Sequence, residues 1–155
     1  MINKLCVIDS IQLKLLKDKK NTYQEYKLSK IKTKLFNYQN DGVQFGLNHD
    51  SWLLLDAPGL GKTLQLICLA NELKKRDKLK HCLVICGVSS LKNNWKKEIE
   101  KHSDLSAAIL GERINKKGKQ VIGSIPDRVN HLKTNISEFF VITNIETLRD
   151  KDIIE

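Results

Sequence analysis

Trp52-Leu53-Leu54-Leu55-Asp56-Ala57-Pro58-Gly59-Leu60-Gly61-Lys62-Thr63 is the stretch whose reading decides the fold. A short apolar run passes directly into a glycine-bracketed loop, and Leu66, Leu69, Ala70 and Leu73 then recur at helical spacing. Strand, loop and helix in that order are the context a phosphate-binding loop requires. Glycines let successive backbone N–H groups curl toward one point, and the helix N-terminus adds partial positive charge there. Pro58, Gly59, Leu60, Gly61, Lys62 and Thr63 are therefore the candidate nucleotide-binding residues. Lys62 is placed to reach the β and γ phosphates, and the Thr63 hydroxyl to ligate Mg²⁺, so ATP with Mg²⁺ is the expected ligand. A glycine-rich turn followed by an incidental Lys-Thr is the competing explanation, and the strand before and helix after count against it.

Outward from the loop, similar apolar runs recur at Cys82-Leu83-Val84-Ile85-Cys86, Ala107-Ala108-Ile109-Leu110 and Phe139-Phe140-Val141-Ile142. Continuous runs of this kind are expected of strands covered on both faces, as in a parallel sheet. Helical patterns lie between them. Leu91, Trp95 and Ile99 form a stripe at four-residue spacing, which leaves Lys92, Lys96, Lys97 and Lys101 for solvent or phosphate. Upstream, Phe36 to Leu47 has helical spacing; downstream, Asp127 to Lys133 reads as a short helix in a stretch, Arg113 to Ser137, that starts basic. Alternating strands and helices imply an α/β fold with a parallel sheet.

Residues 1–34 are read as a small basic preface and residues 35–155 as one domain, the size expected for a chain of 155 residues. In the preface, Lys4 to Ile8 and Ile11 to Leu15 are candidate short strands, and nine lysines face only Asp9, Asp18 and Glu25. The whole chain carries a formal charge of +9, which favours a polyanionic partner, nucleic acid first, although a solvated lysine-rich surface would look the same. Cys6, Cys68, Cys82 and Cys86 lack metal-ligand spacing and read as reduced core residues; Cys82 and Cys86 share one strand face. With no apolar run long enough to span a bilayer, a cytoplasmic protein without a membrane partner is expected.

Asp56 to Thr63, in the form Asp-x-x-Gly-Leu-Gly-Lys-Thr, resembles the first helicase motif of the Swi/Snf-type ATPases of helicase superfamily II, and looks closest to compact bacterial or phage members. Ala57 stands where the family usually has an acid. Three more segments resemble the family in order. Leu35 to Val43 is similar to its glutamine motif, which implies that Gln39 recognises adenine. Leu83 to Cys86 followed by Ser89-Ser90-Leu91 and Asn94 to Glu98 is similar to its second conserved stretch, which implies that Ser89 or Ser90 caps a helix whose start touches a DNA phosphate. Phe139 to Arg149 is similar to a strand and turn that implies a further phosphate contact at Thr143, with Ile145 in place of the usual tyrosine.

The resemblance implies a three-layer RecA-like P-loop lobe, part of a DNA-dependent ATPase that translocates on duplex DNA, with Lys62 and Thr63 as its catalytic contribution. The family's Asp-Glu-x-His acid and the arginines of a second RecA-like lobe are not found in these 155 residues, so the chain is read as a truncated first lobe. The lobe of a restriction or repair helicase and a catalytically inactive nucleotide- or DNA-binding module remain alternatives.

Overall fold

The structure, a computed structural model, describes residues 7–8, 24–134, 136–149 and 151–154. In chain order the elements are β1 (Val7–Ile8), α1 (Asn37–Leu47), β2 (Leu53–Leu54), α2 (Lys62–Lys75), β3 (Cys82–Cys86), α3 (Leu91–His102), β4 (Ala107–Ile109), β5 (Glu112–Ile114), β6 (Gln120–Ile122), α4 (Ile125–Lys133), β7 (Phe140–Asn144), a 3₁₀ turn (Thr147–Arg149) and α5 (Lys151–Ile154). Strands β3, β7 and β4 form a parallel sheet with β7 in the middle; β1 and β2 form a separate parallel pair, and β5 and β6 an antiparallel hairpin. The candidate strand at Lys4 to Ile8 is present as Val7–Ile8, while the one at Ile11 to Leu15 lies outside the described residues.

Register explains the main core. Cys82 pairs with Phe140 and Ala107 also pairs with Phe140, while Val84 and Ile109 both pair with Ile142, so these side chains share one face of the sheet. Ile67 and Ala70 of α2 and Ile99 of α3 pack on that face, with Trp95 beside them. A second cluster joins α1 to α2 through Val43, Leu47, Cys68 and Leu69. The helices meet closely there because Gly42 and Gly46 lie one turn apart: an added Cβ would sit 2.1 Å from Gln65 Oε1 at the first and 2.7 Å from a Leu69 methyl at the second.

Three expectations are corrected. Strand β3 is not covered on both faces: Leu83 and Ile85 are 57% and 50% exposed, whereas all five residues of β7 are buried. Leu91 is 40% exposed rather than packed, and Lys92, expected at the surface, is 2% exposed. Both follow from helix geometry. Steps of four residues drift about 40° each around a helix of 3.6 residues per turn, so Leu91 is well off the face of Ile99, whereas Lys92, seven residues away, is within about 20° of it. Lys96 too is committed, to Glu112 at 2.7 Å.

Residues 24–34 run against the lobe. Tyr26, Leu28 and Ile31 pack on the second cluster. The Ser29 N–H donates to Glu72 Oε1 at 2.7 Å, and the Lys32 N–H to the His102 carbonyl at 3.0 Å.

Candidate nucleotide and nucleic-acid site

The phosphate loop runs from β2 into α2, and its shape is set by two glycines. Gly59 and Gly61 have φ of +85° and +73°, the left-handed region that a side chain makes costly. Gly61 is the N-cap of α2, so the first N–H groups of that helix open onto the loop. Nothing lies within 4 Å of where a Cβ on Gly59 would stand, so the outer surface of the loop is accessible to a ligand. The Lys62 ammonium folds back over the loop and donates to the carbonyls of Asp56 at 2.6 Å and Ala57 at 3.2 Å. These bonds hold the cation across the loop, where the Leu60 N–H also turns back to the Ala57 carbonyl at 3.4 Å. Asp56 is itself held, its Oδ2 accepting from Gln65 Nε2 at 2.9 Å.

Gln39 is buried at 4% exposure and joins α1 to this loop. Its Oε1 accepts from the Phe36 N–H at 3.0 Å, which is only the return half of a capping box because the phenyl N-cap has no acceptor, and its Nε2 donates to the Leu60 carbonyl at 3.2 Å. An amide offers two hydrogens and two lone pairs, so one of each is left after these bonds. Beside it, Lys34 to Tyr38 line a groove of about 620 Å³, and Phe36 and Tyr38 stack with centroids 5.9 Å apart while remaining 67% and 44% exposed. The sequence reading missed these two rings. Their signal was two aromatic residues flanking Asn37 just ahead of Gln39.

Thr63 stands at the second position of α2 and is half-buried, its hydroxyl on the helix end next to the loop. Among the described residues no cluster of His, Cys, Asp and Glu could cage a metal. The donor at hand, one hydroxyl in the first turn of α2, suits Mg²⁺, which keeps much of its shell as water and phosphate oxygen.

The turn after β3 is built differently. Ser89 and Ser90 are exposed and lead into α3, but Ser90, the N-cap, has helical φ and ψ of −63° and −26° and makes no side-chain capping bond. The expected hydroxyl cap is therefore absent, because a cap residue needs extended backbone to aim its oxygen at the following amides. The hydroxyls remain free to face a ligand.

Thr143 does not fit its expected role. It is 2% exposed within β7, in register with Ile85, so its hydroxyl does not reach a surface that DNA could touch. What reaches the end of β7 is a polar network the sequence reading did not see. Lys92 Nζ donates to Asn144 Oδ1 at 3.1 Å, Thr147 Oγ1 donates to the same oxygen at 2.8 Å, and Arg128 Nη1 donates to Thr147 Oγ1 at 2.6 Å. Asn144 Nδ2 donates to Glu146 Oε2. Burial, followed by the charge of Arg128, pushes the Lys92 ammonium below its ordinary pKa. The cluster ties the first turn of α3 to the turn after β7.

Cys68, Cys82 and Cys86 are free thiols, as expected of core cysteines, and burial pushes Cys68 and Cys82 up to about 11. Cys6 lies outside the described residues.

Residues 38–154, which include the loop, the Ser89–Ser90 turn and β7, match the SNF2-related domain family. The chain belongs to that family. Over 142 residues it is 33% identical to the DNA annealing helicase and endonuclease ZRANB3 of Mus musculus, an alignment that covers 90% of this chain and 12% of that protein. Over 68 residues it is 38% identical to the SWI/SNF-related matrix-associated actin-dependent regulator of chromatin subfamily A-like protein 1 of Xenopus tropicalis, covering 43% of this chain and 7% of that one. Among solved structures it resembles the Sulfolobus solfataricus SWI2/SNF2 ATPase core in complex with dsDNA, with a TM-score of 0.64 and 28% identity over 86% of this chain and 26% of that chain. The fold of this SNF2-related chain is accordingly a RecA-like α/β lobe. It spans about an eighth of the length of its mouse relative. No helix among the described residues is long and apolar enough to cross a membrane.

Proposed function

We propose that this chain is the ATP-binding part of a DNA-dependent ATPase that translocates on duplex DNA. The observation that carries this reading is the loop itself. Two left-handed glycines, the start of α2 and the Lys62 ammonium converge on one accessible point, in a chain of the SNF2-related family.

Pro58 to Thr63 cradle the phosphates, Lys62 neutralises the β and γ oxygens, and Thr63 ligates Mg²⁺. When bound, the metal would supply charge neutralisation to the phosphate tail. Gln39 has one donor and one acceptor to spare for the adenine edge, and the exposed rings of Phe36 and Tyr38 offer a base a stacking surface in the adjoining groove.

A nucleic-acid backbone suits the charge of +9 and the free hydroxyls of Ser89 and Ser90 at the start of α3, and we take duplex DNA as that partner. The similarity to an ATPase core solved with dsDNA supports it. Thr143 is left out of this surface by its burial. Residues 35–155 are the lobe and residues 1–34 a basic extension, of which Tyr26, Leu28 and Ile31 pack on the lobe. The protein works in the cytoplasm, where its thiols stay reduced.

Turnover also needs an acid to orient water and cations to stabilise the transferring phosphoryl group. We assign these to an Asp-Glu pair and a second RecA-like lobe elsewhere in the parent protein. The 155-residue chain should therefore bind ATP with Mg²⁺ and release no phosphate above background, with or without duplex DNA. DNA-stimulated phosphate release by the pure chain would contradict this division of labour.

A further inference from the structure

We propose that the β5–β6 hairpin is a second duplex-DNA contact, whose tip lysines Lys116, Lys117 and Lys119 lie along the backbone phosphates. The proposal rests on the reading of duplex DNA as partner and adds a site to it.

Placement is the first observation. β4 runs parallel to β7 and β3, so the ends of all three strands lie on one edge of the sheet. The Ser89–Ser90 turn leaves that edge after β3, and the hairpin leaves it after β4 through Leu110 and Gly111. The root is fixed in place: the Gly111 N–H donates to His131 Nδ1 at 3.0 Å, and the Gly123 N–H to the Gly111 carbonyl at 2.8 Å. Glu112 pairs with Lys96 of α3 at 2.7 Å, bracing the hairpin against the helix that Ser89 and Ser90 open. The hairpin is therefore joined directly to that helix.

The second observation is order at the tip. Asn115 Oδ1 accepts from the N–H groups of Lys117 and Lys119, each at 2.9 Å, and the Asn115 and Gly118 N–H groups close the turn onto the carbonyls of Lys119 and Asn115. Gly118 supplies the left-handed φ of +72° that this turn needs. A tip already held in shape loses less conformational entropy when it binds.

Charge is the third. Lys116, Lys117 and Lys119 are exposed and form no ion pair among the described residues. The nearby acids are engaged, Glu112 by Lys96 and Asp127 by Arg113 at 3.5 Å. Three uncompensated cations on a four-residue span suit a polyanion with closely spaced charges. Ile114, 76% exposed on the strand that leads to the tip, gives the ribbon an apolar flank. A two-stranded ribbon is also of a size that a duplex groove admits.

The test is a salt-dependent titration of the whole chain against a labelled duplex of mixed sequence. Lys116→Gln, Lys117→Gln and Lys119→Gln are combined in one variant that keeps Asn115 and Gly118. Each phosphate contact contributes about 0.9 to the slope of log affinity against log salt, so the variant should lose about 2 to 3 from the wild-type slope. The matching triple arginine variant should retain it. A control that removes the same charge from the opposite edge, Lys75→Gln with Lys78→Gln and Lys80→Gln, should lose less than about 1. Thermal unfolding of each variant checks that the lobe is intact.

An unchanged slope in the hairpin variant, or an equal loss in the control, overturns the proposal while leaving duplex binding in place. A loss seen on single-stranded DNA or RNA and not on duplex also overturns it. If the wild-type chain fails to bind duplex at all, the reading of the partner fails first, and this result is distinct from the others.

Discussion

The phosphate loop and the Ser89–Ser90 turn are both strand-to-helix connections that present the first amides of a helix, yet they are built in opposite ways. In the loop, two left-handed glycines fix the main chain, Lys62 bonds to its carbonyls, and Gln39 grips Leu60 from another helix. In the turn, Ser90 is already helical, neither hydroxyl caps α3, and Val88 and Leu91 are exposed at 53% and 40%. Under the proposed function the difference matches two tasks. A triphosphate tail must be held in one geometry for phosphoryl transfer, whereas a motor that steps along a polymer must bind each phosphate and then let it go.

Substitutions can break or sharpen this contrast. The largest effect is expected from Gly61→Ala, because a Cβ there would stand 2.4 Å from Gln39 Nε2 and the residue must hold φ at +73°. Left-handed strain alone costs about 1–3 kcal/mol. The melting temperature should fall by several degrees, at roughly 2–4 °C per kcal/mol for a chain of this size, and nucleotide binding should be lost with it. A variant that melts and binds like the wild type would show that the loop is not held as described.

Gln39→Glu should come next. The carboxylate still accepts from the Phe36 N–H but faces the Leu60 carbonyl without a proton to give, so α1 keeps its cap while the loop loses its tether. One lost hydrogen bond is worth about 0.5–1.5 kcal/mol. ATP affinity should drop about threefold to tenfold with little change in duplex binding. An equal loss of both would argue that Gln39 supports the lobe as a whole.

The smallest effect belongs to Ser89→Ala combined with Ser90→Ala. With no cap bond to lose, stability should stay within about 0.5 kcal/mol. Duplex affinity should fall a few-fold with the salt slope unchanged, since a hydroxyl releases no counterion. A clear drop in melting temperature would show instead that the hydroxyls are structural.

Much of this was legible in the sequence, for reasons tied to particular residues. Gly59, Gly61 and Lys62 announce the loop because few other combinations satisfy its backbone, and the apolar runs located every strand of the main sheet. Burial was less legible. The runs in β3 and β7 look alike, but among the described residues β7 lies between two strands and β3 beside one, and Leu83 and Ile85 are exposed while Val141 and Thr143 are not. Thr143, on the covered strand, is buried with Val141.

Lys92 was misplaced because charge was weighed above helical phase. The hairpin was missed because Arg113 to Gln120 has no apolar alternation to report a strand; Asn115 and Gly118, two turn-forming residues at the ends of a four-residue stretch, were the available signal. The network of Lys92, Asn144, Thr147 and Arg128 joins residues up to 55 apart in sequence, by the difference of their numbers, and no local pattern could disclose it.

Calorimetric titration of the chain with ATP and Mg²⁺, run side by side on the wild type and Lys62→Ala, tests the central assignment most directly. Saturable binding that disappears on removal of the ammonium is the predicted result. Equal affinity in the two proteins, with both folded, would mean that the triphosphate is held somewhere other than Pro58 to Thr63.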